Sequence, residues 1–171
     1  ALWGIHGAPA LASQLGLEPR EIGGAAVICP NLDSNRSLTY LERSPTGRWL
    51  DRAIASTLKQ LAWRLHDTHP GQFDPEAIAR ANTIRQFDQE LVIDRLGFAT
   101  TEEYYRASSP LPLLPDLQYP VLILYAADDP MFDPAIIPDL ERVCAANSNI
   151  DLWLTRYGGH VGYVSDRVTQ H

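Results

Sequence analysis

The hydrophobic pattern predicts β-strands near both ends of the chain. Residues 21–30 finish in an apolar, β-branched run that Pro30 closes, as expected of a buried strand. Residues 120–126 form a continuous apolar run bounded by prolines, which predicts a central strand buried on both faces. Residues 150–155 alternate between apolar and polar side chains, so this strand should have one face less buried.

Between these strands the apolar spacing is helical. A stripe at intervals of three and four predicts an amphipathic helix over 48–66, formed by Leu50, Ile54, Leu58, Leu61 and Leu65. Asp74 followed by Pro75 begins a further helix, a helical stretch runs from Ile84 towards Gly97, and a short helix starts near Thr101. Residues 36–109 therefore read as a helical insertion.

The last third contains a strand, helix and strand in sequence. The helix begins at Asp133 and Pro134 and ends at residues 147–149. Such a unit makes a right-handed parallel crossover. A further helix over 8–15 precedes the first strand, so we expect an α/β fold with a partial, doubly wound parallel sheet and flanking helices.

Composition narrows the class of protein. The 171 residues suffice for one domain with a real core, so we treat 1–171 as a single unit that carries the helical insertion. The net charge of −7 argues against nucleic acid as a partner, because the chain lacks the excess of positive charge that attracts a polyanion. No apolar run approaches the roughly 20 residues of a membrane span. Cys29 and Cys144 do not have the spacing of a metal-binding or redox motif. We therefore interpret them as small buried residues, which also favours a cytoplasmic location.

An acid and a histidine follow the two C-terminal strands. Asp128 and Asp129 come directly after the strand at 120–126, and His160 follows the strand at 150–155. Both loops leave the carboxyl edge of a parallel sheet, so an Asp–His hydrogen bond that orients a general base is feasible. Each residue alone is better explained as a turn, capping or surface residue. Their joint placement and order favour the catalytic interpretation.

Several segments together resemble a known family. They are Ile84-Arg85-Gln86-Phe87-Asp88, Gly97-Phe98, Tyr104-Tyr105, Ser108-Ser109-Pro110, residues 125–130 and residues 158–163. In order and spacing they resemble the YheT-like branch of the α/β-hydrolase superfamily from Gly24 to Ser165, corresponding to the C-terminal half of a member. The resemblance implies a carboxylic ester hydrolase that acts on a small-molecule ester. It implies that His160 is the general base and that Asp129 is the triad acid, with Asp128 as the competing candidate for the acid. It also implies that the helical insertion is the lid.

The sequence departs from the family at the nucleophile. No Gly-x-Ser-x-Gly elbow occurs in the chain, and only residues 1–4 or 4–7 offer a degraded remnant. The chain is therefore either a C-terminal piece whose serine lies upstream or an inactive, hydrolase-like binding module. A piece lacking neighbouring strands would expose sheet edges, so we expect self-association.

The other candidate sites are weaker. His66 and His69 have metal-ligand spacing at a helix end, but no third ligand lies near them in sequence. Gly158-Gly159 lacks the strand-to-helix context of a phosphate loop. Aromatic residues of the insertion are explained by packing, with acyl-pocket lining as the functional alternative; they are Trp49, Trp63, Tyr104 and Tyr105. The sequence implies no cofactor and no metal.

Overall fold

The structure, a computed structural model, describes residues 23–163. These residues divide into two compact units: a sheet unit made of 23–33 and 109–163, and a helical unit, Ser34–Ser108. The helix expected over residues 8–15 and both candidate elbow remnants lie outside the described residues. No helix in the described range is long and apolar enough to cross a membrane.

The sheet unit contains three parallel strands in the order β1-β2-β3. They are β1 (Ala25–Ile28), β2 (Val121–Ala126) and β3 (Ile150–Thr155). The register places Ile123 beside Val27 on one side and Leu152 on the other. The central position predicted for the strand at 120–126 is confirmed, and the chain has the parallel sheet and flanking helices of a partial α/β-hydrolase fold.

The strands differ in burial as their patterns indicate. β2 is the most buried, with Ile123 and Tyr125 almost inaccessible. β3 keeps Trp153 exposed on one face, as its alternation predicts. β1 differs from its prediction, because among the described residues it buries Val27 while Ile28 is 52% exposed.

The connection from β2 to β3 is helical, but it begins differently from the prediction. A 3₁₀ turn, Pro134–Ile136, comes first, with Asp133 capping Ala135, and helix α7 (Ile137–Ala145) follows. Pro138 lies in the first turn of α7, where its missing N–H costs no helical hydrogen bond. After α7, the Asn147 side chain donates to the Leu114 and Leu117 carbonyls, which fixes the 3₁₀ segment Leu111–Asp116 against the turn.

The helical unit contains six α-helices among the described residues. They are α1 (Ser34–Arg43), α2 (Pro45–Thr68), α3 (Pro75–Arg80), α4 (Ile84–Leu91), α5 (Ile93–Leu96) and α6 (Thr101–Ser108). Asp74 caps α3 as its sequence indicates, and Gly97 ends α5 in the left-handed conformation. The helical stretch from Ile84 is in fact two helices that divide at Val92.

Helix α2 buries a different face from the predicted stripe. Its buried residues are Gly47, Asp51, Ala55 and Ala62. Leu61 and Leu65 in the predicted stripe remain 44% and 36% exposed. At the start of α2 the packing is close, because a Cβ at Gly47 would overlap the backbone of Leu41 in α1. Further along the helix, Ala62 packs in a cluster with Ala77 and Ile78.

Candidate catalytic site

The site lies in the two loops that follow β2 and β3. Because these strands are parallel neighbours, their carboxyl ends meet at the same sheet edge. The Ala127 N–H donates to the Thr155 carbonyl over 2.8 Å, so the pairing of the strands continues into the first loop. The sequence that forms the strands therefore also determines where both loops begin.

Asp129 is held in a tight turn immediately after β2. Its Oδ1 accepts the Met131 N–H at 2.9 Å, and the Asp129 N–H donates to the Ala126 carbonyl at 3.3 Å. The Asp129 side chain is only 1% exposed. A carboxylate this buried requires polar partners, and the second oxygen has one in His160.

His160 completes a hydrogen-bonded pair with this carboxylate. Its Nδ1 lies 2.9 Å from Asp129 Oδ2. Because a carboxylate only accepts hydrogen bonds, the tautomer of a neutral imidazole that fits this contact has its proton on Nδ1 and presents Nε2 as the basic nitrogen. The ring is 35% exposed, and Phe132 packs against it edge-on with centroids 5.4 Å apart. A half-buried, oriented imidazole of this kind is suited to proton transfer.

Asp128 has a different partner from Asp129. Its Oδ1 accepts the Gly159 N–H at 2.9 Å, one residue before the histidine. The structure thus brings His160 together with Asp129, and it directs the competing carboxylate to the loop backbone. The sequence alone could order these two aspartates only by resemblance.

The sequence analysis assigns no role at this site to two further residues of the region, Cys29 and Tyr163, although it treats Cys29 as a small buried residue. Cys29, directly after β1, is 3% exposed and has a positive φ of 41°. Its Sγ lies 3.6 Å from the Gly159 carbonyl oxygen and 3.5 Å from the Tyr163 hydroxyl. Burial and the hydrogen bond with Cys29 raise the pKa of Tyr163. Sequence position after a strand was the only available signal for Cys29.

The other candidate residues are the histidines at the end of α2 and the aromatic residues of the helical unit. Among the described residues there is no group of three His, Cys, Asp or Glu side chains placed to hold a metal ion, and His66 Nδ1 lies 3.0 Å from the Phe73 carbonyl oxygen. Of the insertion aromatics, Tyr105 is buried and donates to Asp88 at 2.6 Å. Trp49 is 71% exposed.

Comparison with known proteins identifies the family. No family model matches the chain. The chain is 52% identical to "Putative esterase slr0264" of Synechocystis sp. over 173 residues, which cover 97% of this chain and 47% of that protein. It is 32% identical to "Putative esterase YheT" of Escherichia coli over 143 residues, or 82% of this chain and 41% of that protein. The chain belongs to the YheT-like family of α/β-hydrolases.

The matches cover only part of each relative. The chain spans about half the length of the curated relatives it matches. A further match, "Phospholipase ABHD3" of Homo sapiens, is 37% identical over 93 residues, which cover 54% of this chain and 22% of that protein.

Proposed function

We propose that the protein is a carboxylic ester hydrolase with a Ser-His-Asp triad, in which His160 is the general base and Asp129 orients it. The observation that carries the proposal is the 2.9 Å contact between His160 Nδ1 and the buried Asp129 Oδ2. The names of the relatives, which include esterases and a phospholipase, support the same reaction class.

The pair would act twice in each turnover. His160 Nε2 takes the proton of a serine hydroxyl as its oxygen attacks the ester carbonyl, and then gives that proton to the departing alcohol. Water attacks the resulting acyl-serine with His160 again as base, which releases the acid and restores the serine. Asp129 stabilises the imidazolium in both steps and holds the tautomer that leaves Nε2 free to accept a proton.

The nucleophilic serine of the proposed triad has no recognisable motif in this chain. Because the 171 residues contain no Gly-x-Ser-x-Gly sequence, we assign the serine to polypeptide outside this chain. The proposal also gives the helical unit, Ser34–Ser108, the role of the family's lid. Its support is the resemblance together with its separation as a compact unit.

The test uses the protein as its gene encodes it. It should hydrolyse a short-chain aryl ester and label with a fluorophosphonate probe, and His160→Ala should abolish turnover. The 171 residues alone should do neither, because His160 then has no serine to activate. Undiminished turnover in His160→Ala would show that the triad assignment is wrong.

One observation favours a second function. The missing elbow motif is also what an inactive, hydrolase-like binding module would show. In that case the gene-encoded protein would neither label with fluorophosphonate nor hydrolyse esters, although its melting temperature would show that it is folded. Labelling of a serine would exclude this alternative.

A further inference from the structure

The residue before His160 is held on two sides. The Gly159 N–H donates to Asp128 Oδ1 at 2.9 Å, and the Gly159 carbonyl oxygen lies 3.6 Å from Cys29 Sγ, which is placed to donate to it. Asp128 follows β2 and Cys29 follows β1. The loop after β3 is therefore attached to the ends of both other strands.

The backbone of this loop does not determine its own conformation. It contains Gly158, Gly159 and Gly162, and glycine has the greatest backbone freedom to lose. Val161 has a φ of +58°, a region that a β-branched residue adopts only when its surroundings impose it. External contacts must therefore supply what the local sequence does not.

The thiol contact is itself supported. The Tyr163 hydroxyl lies 3.5 Å from Cys29 Sγ. The Tyr163 ring covers Gly158 so closely that a Cβ at Gly158 would overlap the ring. With the thiol donating to Gly159, the Tyr163 hydroxyl donates to sulfur. A further hydrogen bond, between the Gly162 N–H and the Gly158 carbonyl at 3.0 Å, closes the loop.

We propose that Asp128 and Cys29 are positioning residues, which clamp Gly159 from opposite sides so that His160 Nδ1 meets Asp129 Oδ2. The proposal rests on the proposed function, because its catalytic consequence requires His160 to be the base. Neither residue contacts the imidazole in the hydrogen bonds described. Each acts through the position of the backbone from which the ring projects.

The test compares alanine with conservative variants in the protein as its gene encodes it. Asp128→Ala removes the acceptor and Asp128→Asn keeps a carbonyl oxygen; Cys29→Ala removes the donor and Cys29→Ser keeps one. We expect each alanine variant to lower kcat about tenfold or more, with KM within about twofold, since a misplaced base affects the transition state. The conservative variants should recover kcat to within about threefold of the wild type.

A spectroscopic readout separates the clamp from the reaction. The low-field proton resonance of His160 Nδ1–H, assigned by its absence in His160→Ala, should weaken or disappear in the alanine variants and persist in Asp128→Asn and Cys29→Ser. Asp133→Ala is a matched control, because it removes another aspartate that accepts one backbone N–H at 2.9 Å outside the histidine loop. It should leave the resonance and kcat unchanged.

The outcomes are distinct. An unchanged resonance and kcat in Asp128→Ala would overturn the proposal, as would Asp128→Asn behaving like Asp128→Ala. If Cys29→Ala fails to fold because the thiol is buried, the exposed Asp128 still decides the question. If His160→Ala retains activity, the proposed function fails, whereas the resonance still reports whether Asp128 holds the histidine in place.

Discussion

Asp128 and Asp129 are neighbours in sequence, but their carboxylates hold different groups of the same loop. Asp129 Oδ2 lies 2.9 Å from the His160 ring, and Asp128 Oδ1 accepts the Gly159 backbone N–H over the same distance. Asp129 is buried, whereas Asp128 is exposed. The buried carboxylate therefore contacts the imidazole itself, and the exposed one contacts only the backbone beside it.

The first prediction concerns Asp129→Asn in the gene-encoded protein. The amide N–H of an asparagine can donate a hydrogen bond to an unprotonated Nδ1, so the imidazole loses the tautomer that presents a basic Nε2. As in other triads, kcat for ester hydrolysis should fall by about 10⁴, with little change in KM. Steady-state kinetics would measure both.

Asp128→Asn is the matched control for this variant. It keeps an oxygen acceptor for Gly159, so kcat should stay close to the wild-type value. A large loss in Asp128→Asn with near-normal turnover in Asp129→Asn would reverse the acid assignment.

The sequence predicts the central strand and the sheet edge at which the two loops meet, because both follow from the hydrophobic pattern and from the geometry of a parallel crossover. Residues 120–126 are a short, proline-bounded apolar run, and a parallel crossover brings the loops after two adjacent strands to one edge. Those two facts placed Asp129 and His160 together. The choice between Asp128 and Asp129 requires the turn geometry at Met131, which side-chain periodicity does not encode.

Other features depend on packing between distant residues. The approach of Gly47 to Leu41 leaves no room for a side chain at the start of α2, whereas a hydrophobic pattern gives weight to large side chains. The contact of Cys29 with Gly159 joins residues 130 positions apart, and no local pattern reports it. The helical stretch likewise divides at Val92 without a proline or glycine in the sequence to indicate the break.

The second prediction tests the contact between α1 and α2. Gly47→Ala should destabilise the protein by about 1–3 kcal/mol, because the new Cβ meets the Leu41 backbone, which cannot move like a flexible side chain. The gain in helix propensity, about 1 kcal/mol at most, offsets only part of this cost. Urea denaturation would measure the free energy of unfolding.

Gly23→Ala provides a control, since a Cβ at Gly23 meets nothing within 4 Å. Its stability should match the wild type. Equal stability of Gly47→Ala and the wild type would refute the close approach of Gly47 to the Leu41 backbone.

The third prediction concerns pH and the buried pair in the helical unit. Burial raises the pKa of Asp88 above its ordinary value of 3.8, although the Tyr105 hydroxyl donates to its carboxylate at 2.6 Å. A raised carboxyl pKa means that the folded state binds the proton more tightly than the unfolded state. Its contribution to stability is complete below pH 3.8 and is lost as the pH rises through the folded-state pKa.

Asp88→Asn removes this dependence while keeping an acceptor for Tyr105. The stability of the variant relative to the wild type should therefore increase as the pH rises from below 3.8 towards neutrality and then level off. Denaturation curves over that range would show it. The same variant-minus-wild-type difference at every pH would mean that burial does not shift the Asp88 pKa.

The last prediction concerns the reactivity of Cys144 on the core-facing side of α7. The thiol is buried, and burial raises its pKa to about 11, so the thiolate that reacts with alkylating agents is scarce at pH 8. Iodoacetamide should modify Cys144 in the folded protein more slowly, by about two orders of magnitude or more, than in urea. Mass spectrometry of proteolytic peptides after timed alkylation would give both rates for the same residue.

Leu140→Ala opens the adjacent core of α7 and should accelerate the folded-state rate, since access and solvation of the thiol then increase. Rapid alkylation of Cys144 in the native wild-type protein would show that this part of the core is not closed.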